Sequence, residues 1–140
     1  MLSPSLEDYL EEVYRFSITQ EVVRVSDISH KLNFALPSVS KALGKLRARG
    51  YISYQKYGYI GLTDKGRQMG SYLVKRNQVL QDFLMLLRTP CDVAAEAEAM
   101  EHYLSRETIE SIQVMMAFMR DEPEVYQSFV DYANKHDKKK

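Results

Sequence analysis

The side chains best suited to chemistry in this sequence are acids and one histidine at helical spacing. Asp8 and Glu11 lie three residues apart, so on a helix their carboxylates project from neighbouring points of one surface and could hold one cation. Glu98, Glu101 and His102 stand at i, i+3 and i+4. Two oxygen donors and an imidazole on one helix face make a workable half-site for a divalent metal, and Asp8 with Glu11 could complete it from a second helix. With no thiolate among them, the donors favour manganese or ferrous iron over structural zinc. Because imidazole and carboxylate bind several first-row ions, selectivity would rest on geometry and coordination number. Spacing alone leaves a plainer interpretation open: acids in a first turn also complement the helix dipole, and Glu98, Glu101 and His102 also suit a solvated face.

A different chemistry runs through the middle of the chain. The formal net charge is zero, yet eleven Lys and Arg stand against two Asp between Arg24 and Arg76, and the flanking segments carry the compensating acids. An internal basic stretch can displace the counterions condensed on phosphates, which makes nucleic acid the first partner to consider. On charge alone, a merely solvated surface is the alternative.

These residues need elements to position them. Leu6, Leu10, Val13 and Tyr14 mark one face of a helix from about Ser5 to Ser17. Val25 to Ile28 opens a short helix with Ser26 or Asp27 as its cap, and Ile28 and Leu32 form its inner face. Asn33 to Leu36 turns, and Pro37 suits the first position of a second helix, with Val39, Ala42, Leu43 and Leu46 as the inner stripe. Gly50 ends it. Tyr51–Tyr54 and Tyr59–Leu62 are β-prone runs joined through Gln55–Gly58, a hairpin pattern, and Thr63 or Asp64 caps a long helix after it. Helix, turn, helix, hairpin and capped helix is the order of a winged helix-turn-helix, whose second helix enters the DNA major groove. Ser38 and Ser40 at that helix's start allow close approach, and Lys41 is long enough to reach base edges. Lys45, Arg47 and Arg49 suit phosphates, while Lys56 and Tyr57 at the hairpin tip suit the DNA backbone or minor groove. The same fold also serves as a protein-binding module. Further on, Asp92 caps a helix through Ala94, Ala95 and Ala97, and Pro123 to about Asn134 forms a last helix before a frayed KHDKKK end.

Composition narrows the classes. At 140 residues, 45% hydrophobic and 27% charged, the chain is globular rather than disordered or low in complexity. Its single cysteine, Cys91, permits no intramolecular disulfide and no thiolate zinc cage, and it fits a reducing compartment. No apolar run approaches the roughly 18 residues of a membrane span, and MLSPSLEDY is too acidic for a secretory signal. The expectation is a cytoplasmic protein. HExxH, a Gly-rich phosphate loop and GxSxG are all absent, so no enzyme activity is expected.

The segments PSLEDYLEEVY, RVSDISHKLNFALPSVSKALGKLRARGYI, the wing followed by GLTDKG, and EAEAMEHYLS together resemble, in order and spacing, the diphtheria-toxin-repressor family of metal-dependent repressors in its manganese-regulator branch. The resemblance covers nearly the whole chain. It implies a mainly α fold: an N-terminal winged helix-turn-helix with a two-stranded wing (1–71), then an all-helical metal-binding and dimerisation domain (72–140), without a third SH3-like domain. It also implies a homodimer on a palindromic DNA operator, controlling divalent-metal uptake genes. Asp8, Glu11, Glu98, Glu101 and His102 fall on metal ligands of that branch. Iron-responsive relatives generally carry Met where Asp8 stands and Cys where Glu98 stands, so oxygen at both places points to Mn²⁺, with Fe²⁺ or another divalent ion as the alternative. Asn77 departs from the pattern, because the branch has His there; an amide oxygen is a weaker, neutral donor, and one of two adjacent metal positions would be weakened or altered. Cys91 is not at the family's cysteine position and is expected to pack rather than ligate. Leu73, Leu80, Phe83, Leu84, Ile109, Ile112, Met116 and Met119 suit either a dimer interface or the chain's own core. The rival functions are a winged-helix regulator that has lost metal dependence and, more remotely, a metal-dependent enzyme.

Overall fold

The computed structural model describes residues 2–137, which form seven α-helices and one two-stranded sheet. They fall into two compact units that divide between Asn77 and Gln78.

In the first unit, α1 (Pro4–Thr19) begins where the Ser3 hydroxyl accepts the Leu6 N–H at 3.2 Å, with Pro4 at a position that has no N–H to satisfy. It buries Leu6, Tyr9, Leu10 and Val13. Tyr14, placed on that stripe by periodicity, is only half-buried. α1 runs one residue earlier and two later than its apolar face marks, as helix ends do when caps rather than core contacts set them.

α2 (Val25–Leu32) corrects the expected cap. The capping position belongs to Arg24, and Asp27 works from inside the first turn, its carboxylate accepting the Arg24 N–H at 2.8 Å. The acid therefore performs the return half of a capping box rather than opening the helix. Asn33 ends α2 in the left-handed region at φ 56°, a conformation its short amide side chain tolerates.

α3 (Leu36–Ala48) buries Val39, Ala42, Leu43 and Leu46 and carries Pro37 in its first turn. β1 (Ile52–Tyr54) pairs antiparallel with β2 (Ile60–Leu62), with Ile52 opposite Leu62 and Tyr54 opposite Ile60. Consecutive positive φ values at Tyr57 (64°) and Gly58 (75°) turn the chain between them, the backbone requirement of a tight hairpin. Ile60 also donates to the Val23 carbonyl at 2.8 Å, which fastens the segment before α2 to the wing.

α4 (Asp64–Leu86) starts under the wing. Thr63 Oγ1 accepts the Gly66 N–H at 3.0 Å and donates to the Gly50 carbonyl at 2.6 Å. Any Cβ at Gly66 would overlap the Tyr51 carbonyl, so only glycine permits this approach. One apolar cluster, from Leu2 through Leu43 and Leu46 to Leu73, fills the unit.

The second unit holds the rest of α4, then α5 (Val93–Glu101), α6 (Arg106–Asp121) and α7 (Pro123–Asp137). Asp92 caps α5 by accepting the Ala95 N–H at 3.2 Å, as the sequence suggests. Its core is small: Val79, Leu80, Leu84, Ala97 and Ile109. Tyr126 of α7 donates to the Leu86 carbonyl at 2.9 Å, satisfying a carbonyl at the end of α4. α7 continues past Asn134 through Lys135, His136 and Asp137, so these three residues of the end expected to fray are helical; residues 138–140 lie outside the described residues. Among the described residues, no helix is long and apolar enough to cross a membrane.

The apolar residues offered to an interface divide. Leu73 belongs to the first unit's core, and Leu80, Leu84 and Ile109 to the second's. Phe83, Ile112, Met116 and Met119 are half-buried. The exposed large apolar side chains of α6 are instead Val114 and Phe118, one turn apart.

Candidate metal centre and nucleic-acid interface

α3 and the wing present the residues that periodicity turned outward. Ser38, Ser40, Lys41, Lys45, Arg47, Arg49, Lys56 and Tyr57 are all exposed. Several cations of this unit rest on tyrosine rings: Arg47 lies 5.2 Å from the Tyr54 centroid, Lys56 5.3 Å from Tyr57, and Lys65 4.3 Å from Tyr51 while donating to the Arg49 carbonyl at 2.8 Å. Such contacts hold a flexible charged stem in place without neutralising it. Arg24, which charge counting alone does not single out, stacks 5.2 Å from the Tyr59 ring. Its signal in the sequence is weak, because Tyr59, just before β2, lies 35 residues away.

The acids of α1 are drawn partly inward. Asp8 and Glu11 are both half-buried. Arg15 Nε and Nη2 donate to the same oxygen of Glu11, Oε2, at 3.2 and 3.1 Å. Burial pushes the Glu11 carboxyl above the usual carboxylate range; the Arg15 guanidinium opposes that shift, while the negative charges of Glu12 and Asp8 add to it. Arg15 was missed by the sequence reading, although its i, i+4 spacing from Glu11 is the available signal. Beside these acids, Arg76 of α4 grips Glu7 through two donors at 3.2 and 3.4 Å, joining α1 to α4 within the first unit. Asn77, the last residue of this unit, is buried.

In the second unit, Glu101 is 1% exposed, and its Oε1 lies 3.6 Å from His102 Nε2. His102 is the residue after the last turn of α5 rather than part of it. Glu98, one turn earlier, is exposed. Three residues expected on one face thus have unequal access to solvent. A carboxylate is costly to bury unless charge or hydrogen bonds compensate it. A buried carboxylate beside an imidazole, with hard oxygen donors elsewhere in the set, is suitable chemistry for a divalent first-row cation, so these residues fit such an ion.

Residues 1–60 match the family described as iron dependent repressor, N-terminal DNA binding domain, and residues 63–129 match its metal binding and dimerisation domain. The chain belongs to the iron dependent repressor family. Curated relatives within it agree over most of their length. An HTH-type transcriptional regulator MntR of Listeria monocytogenes is 37% identical over 89% of this chain and 88% of its own. Its namesake in Lysinibacillus sphaericus is 34% identical over 89% of this chain and 91% of its own. Among solved structures, the manganese regulator SloR superposes with a TM-score of 0.72 at 28% identity, covering 84% of this chain. The chain spans 55% of that structure's length. Membership in this family accounts for the winged helix, the wing and the helical second unit, and it makes the protein a transcriptional repressor rather than an enzyme.

Proposed function

We propose that this protein is a manganese-responsive repressor that binds a palindromic operator as a homodimer in the cytoplasm and controls divalent-metal uptake genes. Residues 1–71 read DNA, and residues 72–140 serve metal binding and dimerisation. The observation that carries the proposal is the opposite fate of two sets of polar side chains. All eight cations, hydroxyls and tyrosine assigned to DNA are exposed, whereas Glu101 and Asn77 are withdrawn from water, Asp8, Glu11 and His102 are half-withdrawn, and of the metal set Glu98 alone is exposed. The first set suits a partner that arrives from solution; the second suits a small ion.

In this proposal Asp8 and Glu11 of α1, Asn77 of α4, and Glu98, Glu101 and His102 at α5 are the ligands. A bound divalent cation would supply the positive charge that lets these carboxylates stay ionised together. Asn77 contributes a neutral oxygen, so it adds no charge to the set. On the DNA side, Ser38 and Ser40 let the start of α3 approach the groove floor, Lys41 reaches base edges, Lys45, Arg47 and Arg49 hold phosphates, and Lys56 with Tyr57 grips the flanking backbone. Two such heads in a dimer must meet successive major grooves, roughly 34 Å apart. Restricting the helices that carry the ligands lowers the cost of reaching that spacing. Linkage makes the effect reciprocal: operator tightens metal binding as metal tightens operator binding.

The test is fluorescence anisotropy on DNA selected from a random pool with Mn²⁺ present, repeated with Fe²⁺, with Zn²⁺ and with chelator. Metal should raise affinity at least about tenfold, and Glu101→Gln should remove most of that gain, in line with coupling energies of about 1–3 kcal/mol. Equal affinity in chelator and in every metal would overturn the proposal. Such an outcome would support the second reading, a metal-indifferent regulator, which Asn77 favours because it replaces a strong nitrogen donor with a weak oxygen one.

A further inference from the structure

We infer that Arg15 is a built-in competitor for the cation at Glu11, so that this arginine sets how much metal is needed to occupy the site. The inference rests on Glu11 being a ligand, as proposed above. Two guanidinium N–H groups converge on Glu11 Oε2 at 3.2 and 3.1 Å. The Glu11 side chain is 12% exposed and that of Arg15 is 41% exposed. The carboxylate is therefore the sheltered partner and the guanidinium the solvent-facing one, placed to turn to water when displaced. Glu11 also shares its stretch of α1 with the acids Asp8 and Glu12, whose charges act on it. Without a metal, the ionised carboxylate in this acidic surrounding gains its positive charge from Arg15. A divalent ion bound at Glu11 would supply the same charge at shorter range and would repel the guanidinium. The two cations are alternatives at one carboxylate, and each must be dislodged by the other.

The arrangement has a definite consequence for affinity. Any free energy the pair contributes to the metal-free protein is lost when metal enters, so Arg15 weakens metal binding by that amount. An i, i+4 pair of this exposure is a modest obstacle, so its removal should tighten metal binding by about twofold to fivefold rather than by orders of magnitude. Arg15→Lys keeps the charge but loses the two-pronged grip and should fall between the wild type and Arg15→Gln.

The experiment is calorimetric titration of the full chain with Mn²⁺ for wild type, Arg15→Gln, Arg15→Lys and Glu11→Gln, with thermal melts of the metal-free proteins alongside. Expected are tighter Mn²⁺ binding in Arg15→Gln, a smaller gain in Arg15→Lys, and a lower melting temperature for metal-free Arg15→Gln that Mn²⁺ restores. Unchanged or weaker binding in both arginine variants, with Glu11→Gln losing binding, would overturn the inference alone, weaker binding meaning that Arg15 steadies Glu11 for the ion instead. Mn²⁺ binding unaltered in Glu11→Gln would overturn the ligand assignment on which it rests.

Discussion

The two units of this chain solve the same problem to different degrees. In residues 2–77, helices α1 to α3, the wing and the start of α4 enclose one apolar cluster in which Leu10, Val13, Ile28, Val39, Leu43, Leu46 and Leu73 have no exposure. Among the described residues of the second unit, Val79, Leu80, Leu84, Ala97 and Ile109 form the buried cluster and Val130 is buried outside it, while Met85, Val114, Phe118 and Tyr132 are at least half exposed. A unit that small and that apolar on its outside is short of core for its length. The first unit is therefore the better enclosed of the two. The match of residues 63–129 to a metal binding and dimerisation domain supports a second copy as the partner of this unit.

The contrast can be broken by mutation. Leu43→Ala, at a fully buried position, should destabilise the protein by roughly 2–5 kcal/mol, because the first unit's packed cluster cannot close over the cavity; chemical denaturation followed by circular dichroism reads this directly. A cost below about 1 kcal/mol would mean that the first unit is no better packed than the second. Charging the exposed pair, Val114→Asp with Phe118→Asp, should leave the stability of the first unit unchanged to within about 0.5 kcal/mol yet shift the protein toward monomer in sedimentation equilibrium. An unaltered dimer would place the interface elsewhere on the second unit. The smallest effect concerns Cys91 at the edge of the second core. Hydrogen bonding to Glu96, burial and the nearby acids push its thiol up to about 11, so thiolate is scarce at neutral pH. Alkylation by iodoacetamide should stay slow at pH 8 and reach half its maximal rate only near pH 11. Glu96→Gln should move that midpoint downward, since it removes the acceptor charge that favours the protonated thiol.

Much of the first unit was legible because its signals are local. The stripe Val39, Ala42, Leu43 and Leu46 specifies both the inner face of α3 and, by exclusion, the outward cations, and the structure follows it residue by residue. Gly50, the tyrosine-rich runs and Thr63 mark the wing for the same reason. The cap of α2 differs from expectation because Ser26 and Asp27 carry capping side chains whereas Arg24, which holds the position, does not, and the bridge from Val23 to Ile60 sets where extended chain stops. The apolar residues of the second unit were ambiguous for a different reason. Periodicity states that a residue faces inward from its helix, but it does not state whether the surface it meets belongs to the same chain.

The sequence by itself determined the helix faces, the order helix, turn, helix and wing, the cap at Asp92, and the segregation of positive charge into the stretch from Arg24 to Arg76. Each of these depends on neighbours within a few residues, where backbone geometry alone relates one side chain to the next. Only the tertiary structure decided that Glu101 is buried while Glu98, one turn away, is exposed, that Arg76 reaches across to Glu7, and that Arg24 lies against Tyr59. Solvent access and long-range ion pairs are set by elements that arrive from distant parts of the chain, and no spacing rule along a single helix contains that information.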